Sequence, residues 1–288
     1  MPDFWSHQLA AKSIRETLMN DHINVFDWGT EELALFYLGA QGPDLFYYIN
    51  KFTPYKKRGY KDTGDTLHNS NPQKLMQIMI ETAFQQSSKG VNAYLYGFVS
   101  HYFLDAYCHP IICKLGPDSE SHKRVEMDFE ALCINRYWKE NSKGLRNQFF
   151  TVTYDGVKSV LEPFWNSILA SLNLNIVPSV DYKSGVKDLH RIEQLLVYKL
   201  IDRLPFKNIF GRLFHYNLSL LQFAEVTEQL ADQLDYNAFI IQYELGMAHA
   251  TEALSELISL THSNDHIVDY VSKWINKNFL GEDLKDVQ

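Results

Sequence analysis

Cysteine is scarce in this sequence. Only three occur among 288 residues, Cys108, Cys113 and Cys133, an odd number without the spacing of a disulfide framework. The N-terminal residues also lack the cations and following apolar stretch that a secretory signal peptide requires. Because disulfides persist mainly in oxidising compartments, the two absences favour a cytoplasmic protein.

Long apolar runs and clustered positive charge are absent as well. No window approaches the roughly 20 apolar residues of a membrane-spanning helix, so we expect no transmembrane segment. The formal net charge is −8, and Lys56-Lys57-Arg58 is the one basic block. Such a surface repels phosphate backbones, which argues against binding of duplex nucleic acid. Hydrolysis of a phosphodiester is still allowed, because bound metal ions reverse the local field.

Strand-like alternation is also rare, and residues 148–154 are its best example. Apolar residues instead recur at helical spacing along most of the chain. This pattern predicts an all-α protein with one multi-helix domain over residues 1–280 and a mobile tail over 281–288. The predicted helices cover residues 6–18, 32–38, 72–88, 91–109, 121–141, 158–172, 187–202, 207–233, 235–261 and 265–279.

Glycine and proline mark the predicted helix ends. Residues 39–44 read Gly-Ala-Gln-Gly-Pro-Asp and break the helical pattern, whereas residues 50–71 are polar and read as a long loop. The helix that begins near Val91 is expected to end at Pro110, and Ser119 or Ser121 is expected to cap the next one. Gly97 lies on the face of His101 and would allow another segment to approach closely.

Three potential metal ligands lie on the helix that begins near Val91. His101, Asp105 and His109 follow one another at intervals of four, which places them on one side of a helix. Imidazole and carboxylate are preferred zinc ligands. The three span about 12 Å of helix, which is too long for one ion but suits a cluster with shared carboxylates. The sequence therefore predicts a metal cluster bridged by Asp105.

Further candidate ligands lie on neighbouring segments. His122 and Glu126 open the next predicted helix, thirteen residues after His109, so a short turn would bring them opposite it. Read alone, they would better suit an exposed ion pair. Asp44 follows the break at 39–44, where it would also suit a helix cap. His68 lies in the predicted polar loop, and His7 follows Trp5 near the start of the chain.

These segments resemble the zinc-dependent phospholipase C family, whose fold is shared with single-strand nucleases. The resemblance rests on Ser6-His7, the segment 39–44, His68, and the two motifs His101-x3-Asp105-x3-His109-Pro110 and His122-x3-Glu126, which occur in the family's order over about residues 1–130. The remaining half resembles the family only in being helical.

The resemblance implies two or three zinc ions and a set of ligands for each. One ion would be held by Asp44, His68, His101 and Asp105, and a second by His109, His122 and Glu126. The third would be held by Asp105 and His7. In secreted members the amino group and carbonyl of an N-terminal Trp complete that third site, whereas here Trp5 is internal. Iron or manganese could replace zinc with the same ligands.

The implied activity is hydrolysis of a small or lipid-like phosphodiester by water that the zinc ions activate. The resemblance also implies that Asp44 orients or deprotonates this water. Two other functions remain open: a single-strand nuclease of the same fold, and a non-catalytic binding protein that metal ions stabilise. The sequence does not indicate the oligomeric state.

Overall fold

The protein is built from helices. The computed structural model describes residues 4–21, 28–51, 60–137, 152–197, 235–260 and 264–284. Within those ranges it contains no strand, only one isolated β-bridge between Lys277 and Asp283, which confirms the predicted all-α class. No helix in the described ranges is long and apolar enough to span a membrane.

The described residues of the first half of the chain form seven α-helices and one 3₁₀ turn. They are α1 (Phe4–Asn20), α2 (Thr30–Gly39), the 3₁₀ turn Gly42–Asp44, α3 (Leu45–Tyr48), α4 (Lys61–His68), α5 (Pro72–Gln86), α6 (Lys89–Leu115) and α7 (Ser119–Tyr137).

The described parts of the second half continue the same architecture. They are α8 (Tyr154–Gly156), a π-helical turn (Val157–Leu161), α9 (Glu162–Ser171), α10 (Ser179–Val197), α11 (Tyr236–Ser259) and α12 (Asn264–Trp274). The predicted helix 207–233 lies outside the described residues, as does most of the strand-like stretch 148–154.

Helix α6 is the central element. It packs against α1, α2, α5, α7 and α11, and most of its side chains are buried. The main core continues through the aromatic side chains of Phe46 and Trp165, whose rings meet edge to face at 4.9 Å. A second cluster joins α6, α7 and α11, where Phe129 stacks on Phe239 at 3.7 Å.

Three local predictions are wrong. Pro110 does not end α6, which continues to Leu115. A proline inside a helix costs about 3 kcal/mol, and the burial of this helix among its neighbours offsets that cost.

The polar stretch at residues 61–68 is helix α4 rather than loop, so His68 lies at a helix end. Residues 52–59 of the predicted loop lie outside the described residues. The cap of α7 is Asp118, whose Oδ1 accepts from the amides of Glu120 and Ser121.

The close approach expected at Gly97 occurs where α6 crosses α2. A Cβ added at Gly97 would lie 2.0 Å from the Phe36 carbonyl oxygen and 2.8 Å from the Ala40 nitrogen. On the facing helix, a Cβ at Gly39 would lie 2.1 Å from the Tyr94 carbonyl oxygen. The two helices therefore pack backbone against backbone, which brings the segment after α2 directly over His101.

We expect Gly97→Ala to lower the free energy of unfolding by about 1–3 kcal/mol or more, because backbone atoms must move to admit the methyl group. The direction of this change is informative, because Gly→Ala in an unconstrained helix instead raises the free energy of unfolding by up to about 1 kcal/mol. Urea unfolding measures the effect. Gly246→Ala in α11 is the matched control, because its nearest neighbour would be 3.2 Å away. A stability loss no larger than that of the control would refute the close packing.

Candidate metal centre

The structure brings all eight predicted ligand residues together around one face of α6. Helix α6 contributes three of them, α7 two, and α1, the 3₁₀ turn and α4 one each. They form three groups, in each of which one potential ligand atom per residue lies within 4.8 Å of the others. The groups are Asp44–His68–His101, His7–His101–Asp105 and His109–His122–Glu126.

The first group depends on the break after α2. Gly42 has a φ of +55°, and a Cβ there would lie 2.2 Å from the His101 ring, so glycine is required on both counts. This turn carries the buried Asp44 to His68, with Asp44 Oδ1 3.2 Å from His68 Nε2. The Asp44 side chain does not cap α3. The Asp44 carboxylate therefore contacts a histidine of the metal centre and does not cap a helix.

The second group is centred on Asp105, which is completely buried. Its Oδ1 lies 3.3 Å from His7 Nε2, and its Oδ2 lies 3.2 Å from His101 Nε2. The rings of His7 and His101 stack at 4.3 Å. Asp105 Oδ2 also lies 4.0 Å from His109 Nδ1. One carboxylate thus stands between the histidines of different groups, as the four-residue spacing on α6 predicts.

The third group joins the C-terminal half of α6 to the start of α7. His122 Nε2 lies 3.0 Å from Glu126 Oε1, and the His122 ring stacks on the His109 ring at 5.7 Å. Glu126 is 6% exposed, so the motif His122-x3-Glu126 is not the exposed ion pair that its spacing alone would also suit. Lys123 adds a positive charge 3.4 Å from Glu126 Oε2.

Backbone carbonyls fix which nitrogen of three histidines carries the proton. His68 Nδ1 lies 2.9 Å from the Gly64 carbonyl oxygen, His101 Nδ1 lies 3.2 Å from that of Ala40, and His109 Nδ1 lies 2.5 Å from that of Phe279. Because a carbonyl can only accept, each Nδ1 is the donor. In the neutral ring this leaves Nε2 with a free lone pair, the arrangement typical of metal-binding histidines.

The first two groups contain buried nitrogen and oxygen atoms that face one another. Among the described residues, these atoms have no hydrogen bond of acceptable geometry: His7 Nδ1 and Nε2, Asp44 Oδ1, His68 Nε2, His101 Nε2, and Asp105 Oδ1 and Oδ2. Buried lone pairs that face each other without a donor are costly. A cation between them removes this cost, so the residues present fit a divalent metal ion.

At His7, His109 and Asp105 the surroundings favour the protonation state that binds metal. Burial lowers the pKa of His7, and it lowers that of His109 to about 4. Burial would raise the pKa of Asp105, but attraction to His101 and His109 outweighs it and holds that pKa well below its usual range. Burial would likewise lower the pKa of His68, but its contact with Asp44 raises it. Neutral imidazoles and ionised carboxylates are the forms that bind metal.

Two polar side chains that the sequence does not assign to the site support His68. Tyr47 Oη lies 3.2 Å from His68 Nδ1 and donates to Asp65 Oδ1 at 3.0 Å. The Tyr47 ring also stacks on the imidazole at 5.6 Å. Asp65 lies three residues before His68 and Tyr47 three after Asp44, but neither spacing is distinctive enough to identify them from the sequence.

An all-helical fold with histidines and carboxylates gathered at its centre defines a class of metal-binding proteins. A family model described as zinc dependent phospholipase C matches residues 6–175, more than half of the chain. No curated protein and no solved structure matches the chain significantly. The chain belongs to the zinc-dependent phospholipase C family, as its motifs predict, and at that level it is a metal-dependent hydrolase.

Proposed function

We propose that this protein hydrolyses a small or lipid-like phosphodiester with zinc ions bound by the eight clustered residues. The observation that carries the proposal is Asp105. Both of its oxygens are buried: Oδ1 lies 3.3 Å from His7 Nε2, and Oδ2 lies 3.2 Å from His101 Nε2, whose proton is on the other ring nitrogen. Carboxylates that are shared between ions are typical of sites whose metals lie about 3.5–4 Å apart.

The proposal assigns one ion to each of three sets of ligands. Asp44, His68, His101 and Asp105 form one set, and His109, His122 and Glu126 form another. His7 and Asp105 supply two ligands for a third. A bound zinc ion neutralises the charge of an anionic substrate and lowers the pKa of water.

The residues around the ions have three further roles in this proposal. Asp44 accepts a proton from the attacking water or orients it, because it is a buried carboxylate beside His68. The backbone carbonyls behind His68, His101 and His109 hold the imidazoles in place. His122 and His68 are the most exposed members, at 26% and 15% of their side chains, so substrate reaches the cluster past them.

The first experiment measures metal content and then turnover. Protein purified without chelator or nickel affinity is analysed for zinc, and bis(p-nitrophenyl) phosphate, phospholipid vesicles and single-stranded DNA are then compared as substrates. We expect two or three zinc ions per chain and hydrolysis of the diester or the lipid that chelation abolishes and zinc restores.

Other results of this experiment would indicate a different function. Cleavage of single-stranded DNA alone would indicate a nuclease. Bound zinc without any turnover would indicate a binding protein that the metal stabilises. A chain that retains no zinc after incubation and desalting would refute the proposed function. His266→Ala is the control variant, because His266 is an exposed histidine on α12 that is not one of the eight residues.

A further inference from the structure

The residues after α12 form a compact turn that lies outside the region matched by the family model. We call residues 275–284 the C-terminal turn. Lys277 and Asp283 form its β-bridge, and the Lys277 ammonium lies 2.9 Å from Asp283 Oδ1. Asn278 Oδ1 accepts from the amides of Leu280 and Glu282. Four of these residues belong to the predicted tail, whose last part, 285–288, lies outside the described residues.

Hydrogen bonds attach the C-terminal turn to α5 and α6. The Gln73 side chain donates to the Ile275 carbonyl oxygen at 2.8 Å. Tyr102 on α6 donates to the Lys277 carbonyl oxygen at 2.7 Å and accepts from the Lys277 amide at 3.3 Å. The start of the turn is therefore fixed to the helix that carries three of the metal-centre residues.

The end of the C-terminal turn lies against the unusual part of α6. Pro110 has no N–H, so the Ala106 carbonyl lacks its helical donor. Gly281 packs at this point, with a φ of +82° and a Cβ position that would lie 2.5 Å from both the Ala106 oxygen and the Pro110 ring. A side chain at position 281 would push the turn away from α6.

Between these two attachments lies Phe279, which contacts both ends of the metal centre. Its carbonyl oxygen accepts from His109 Nδ1 at 2.5 Å. Its ring lies 5.4 Å from that of His68 and 6.3 Å from that of His101. The side chain is 1% exposed. One residue thus contacts His109 through its backbone and the Asp44–His68–His101 group through its ring.

We propose that Phe279 is a positioning residue of the metal centre, held in place by the C-terminal turn. Its carbonyl fixes His109 in the Nδ1–H form, so that Nε2 faces His122 and Glu126. Its ring forms an apolar wall that keeps water from His68 and His101 on that side. This inference rests on the proposed function, because it concerns the binding of the same metal ions.

Two variants and a control test the inference in the full-length protein. Gly281→Val displaces the carbonyl of Phe279. Phe279→Leu instead replaces the ring with a smaller apolar side chain and keeps the carbonyl. Leu280→Ala is the matched control in the same turn, since Leu280 is 44% exposed. Zinc affinity is measured by competition with a chromogenic chelator. The ligand geometry is followed by the visible absorption of the Co²⁺-substituted protein, and melting temperatures monitor folding.

We expect Gly281→Val to weaken the binding of one zinc ion by about 10- to 100-fold, the usual effect of losing a partner that orients a metal-bound histidine. Its Co²⁺ spectrum should change, whereas Leu280→Ala and Phe279→Leu should keep the affinity of that ion. Gly281→Ala replaces the valine variant if the latter does not fold. Wild-type zinc affinity and Co²⁺ spectrum in the glycine variant would overturn the inference.

A measurement on the unaltered protein provides an independent test. Long-range ¹H–¹⁵N correlation spectra distinguish the two neutral forms of histidine. We expect His109 as the Nδ1–H form, and the Nε2–H form would overturn the inference. The proposed function fails separately, because in that case the wild-type chain itself would bind no zinc.

Discussion

Asp105→Asn is expected to remove at least one zinc ion per chain and to lower kcat/KM by about 100- to 1,000-fold, an effect of the size seen when a charge-stabilising group is lost. Asparagine has nearly the same shape, so the fold should persist. It lacks the negative charge, however, and one of its two terminal atoms is a donor that cannot bind a cation. Both carboxylate oxygens of Asp105 face histidine nitrogens, so either orientation of the amide loses a ligand.

Elemental analysis and steady-state kinetics measure this effect. Asp128→Asn is the control, because it makes the same exchange at another buried carboxylate, whose partner is Arg124 rather than the histidines. We expect the control to keep its full zinc content. An Asp105→Asn protein with the wild-type number of zinc ions and wild-type kcat/KM would refute the role of Asp105 as a shared ligand.

Removal of zinc is expected to destabilise the protein strongly. A ligand that binds only the folded state contributes about 4 kcal/mol per site when its free concentration is 1,000 times Kd. Here the metal also compensates for the buried acceptors around Asp105. We expect chelation to lower Tm by about 10 °C per ion at such concentrations. Differential scanning calorimetry before and after dialysis against chelator checks this result. An unchanged Tm would contradict it, and recovery with zinc excludes irreversible damage.

The metal-free protein should lose further stability as the pH falls from 6.5 towards 4. His109 has a pKa of about 4 in the folded state, below its ordinary value of 6.5. The unfolded chain therefore binds more protons in this window, and acidification favours unfolding by about 3 kcal/mol from this residue. His7, whose pKa is also lowered, acts in the same direction. His68, whose pKa is raised, opposes it.

Urea unfolding of the metal-free protein at a series of pH values measures this dependence. His109→Gln removes the contribution of His109 and should flatten the profile. His266→Gln makes the same exchange at an exposed histidine on α12 and is the variant for comparison. A free energy of unfolding that stays constant between pH 6.5 and 4, or rises as the pH falls, would contradict the expected burial of neutral His109.

Much of the site follows from local rules. The four-residue intervals between His101, Asp105 and His109 put these side chains on one side of α6, because a helix repeats every 3.6 residues. The same rule places His122 next to Glu126 on α7. Hydrophobic periodicity predicts the helices themselves, since each must bury an apolar face. Gly97 similarly predicts a close approach, because its lack of a side chain matters only where another backbone passes.

The wrong predictions occur where side-chain hydrogen bonds and tertiary contacts outweigh helix propensity. Helix α4 contains glycine, threonine and aspartate, which are weak helix formers. It is held by interactions between its own turns, such as Thr66 Oγ1 with the Asp62 carbonyl, and by Tyr47 from α3. Helix α6 continues past Pro110 because its long buried face compensates for the lost hydrogen bond.

The sequence by itself determined the helical class, the family and the residues able to bind metal, because side-chain identity and short spacing are local properties. Only the tertiary structure decided which atoms of those residues meet. The clearest case is the Phe279 carbonyl, which orients His109 from 170 residues away. Every residue offers the same backbone carbonyl whatever its side chain, so no sequence pattern distinguishes this one. Its role arises from the packing of the C-terminal turn against α6.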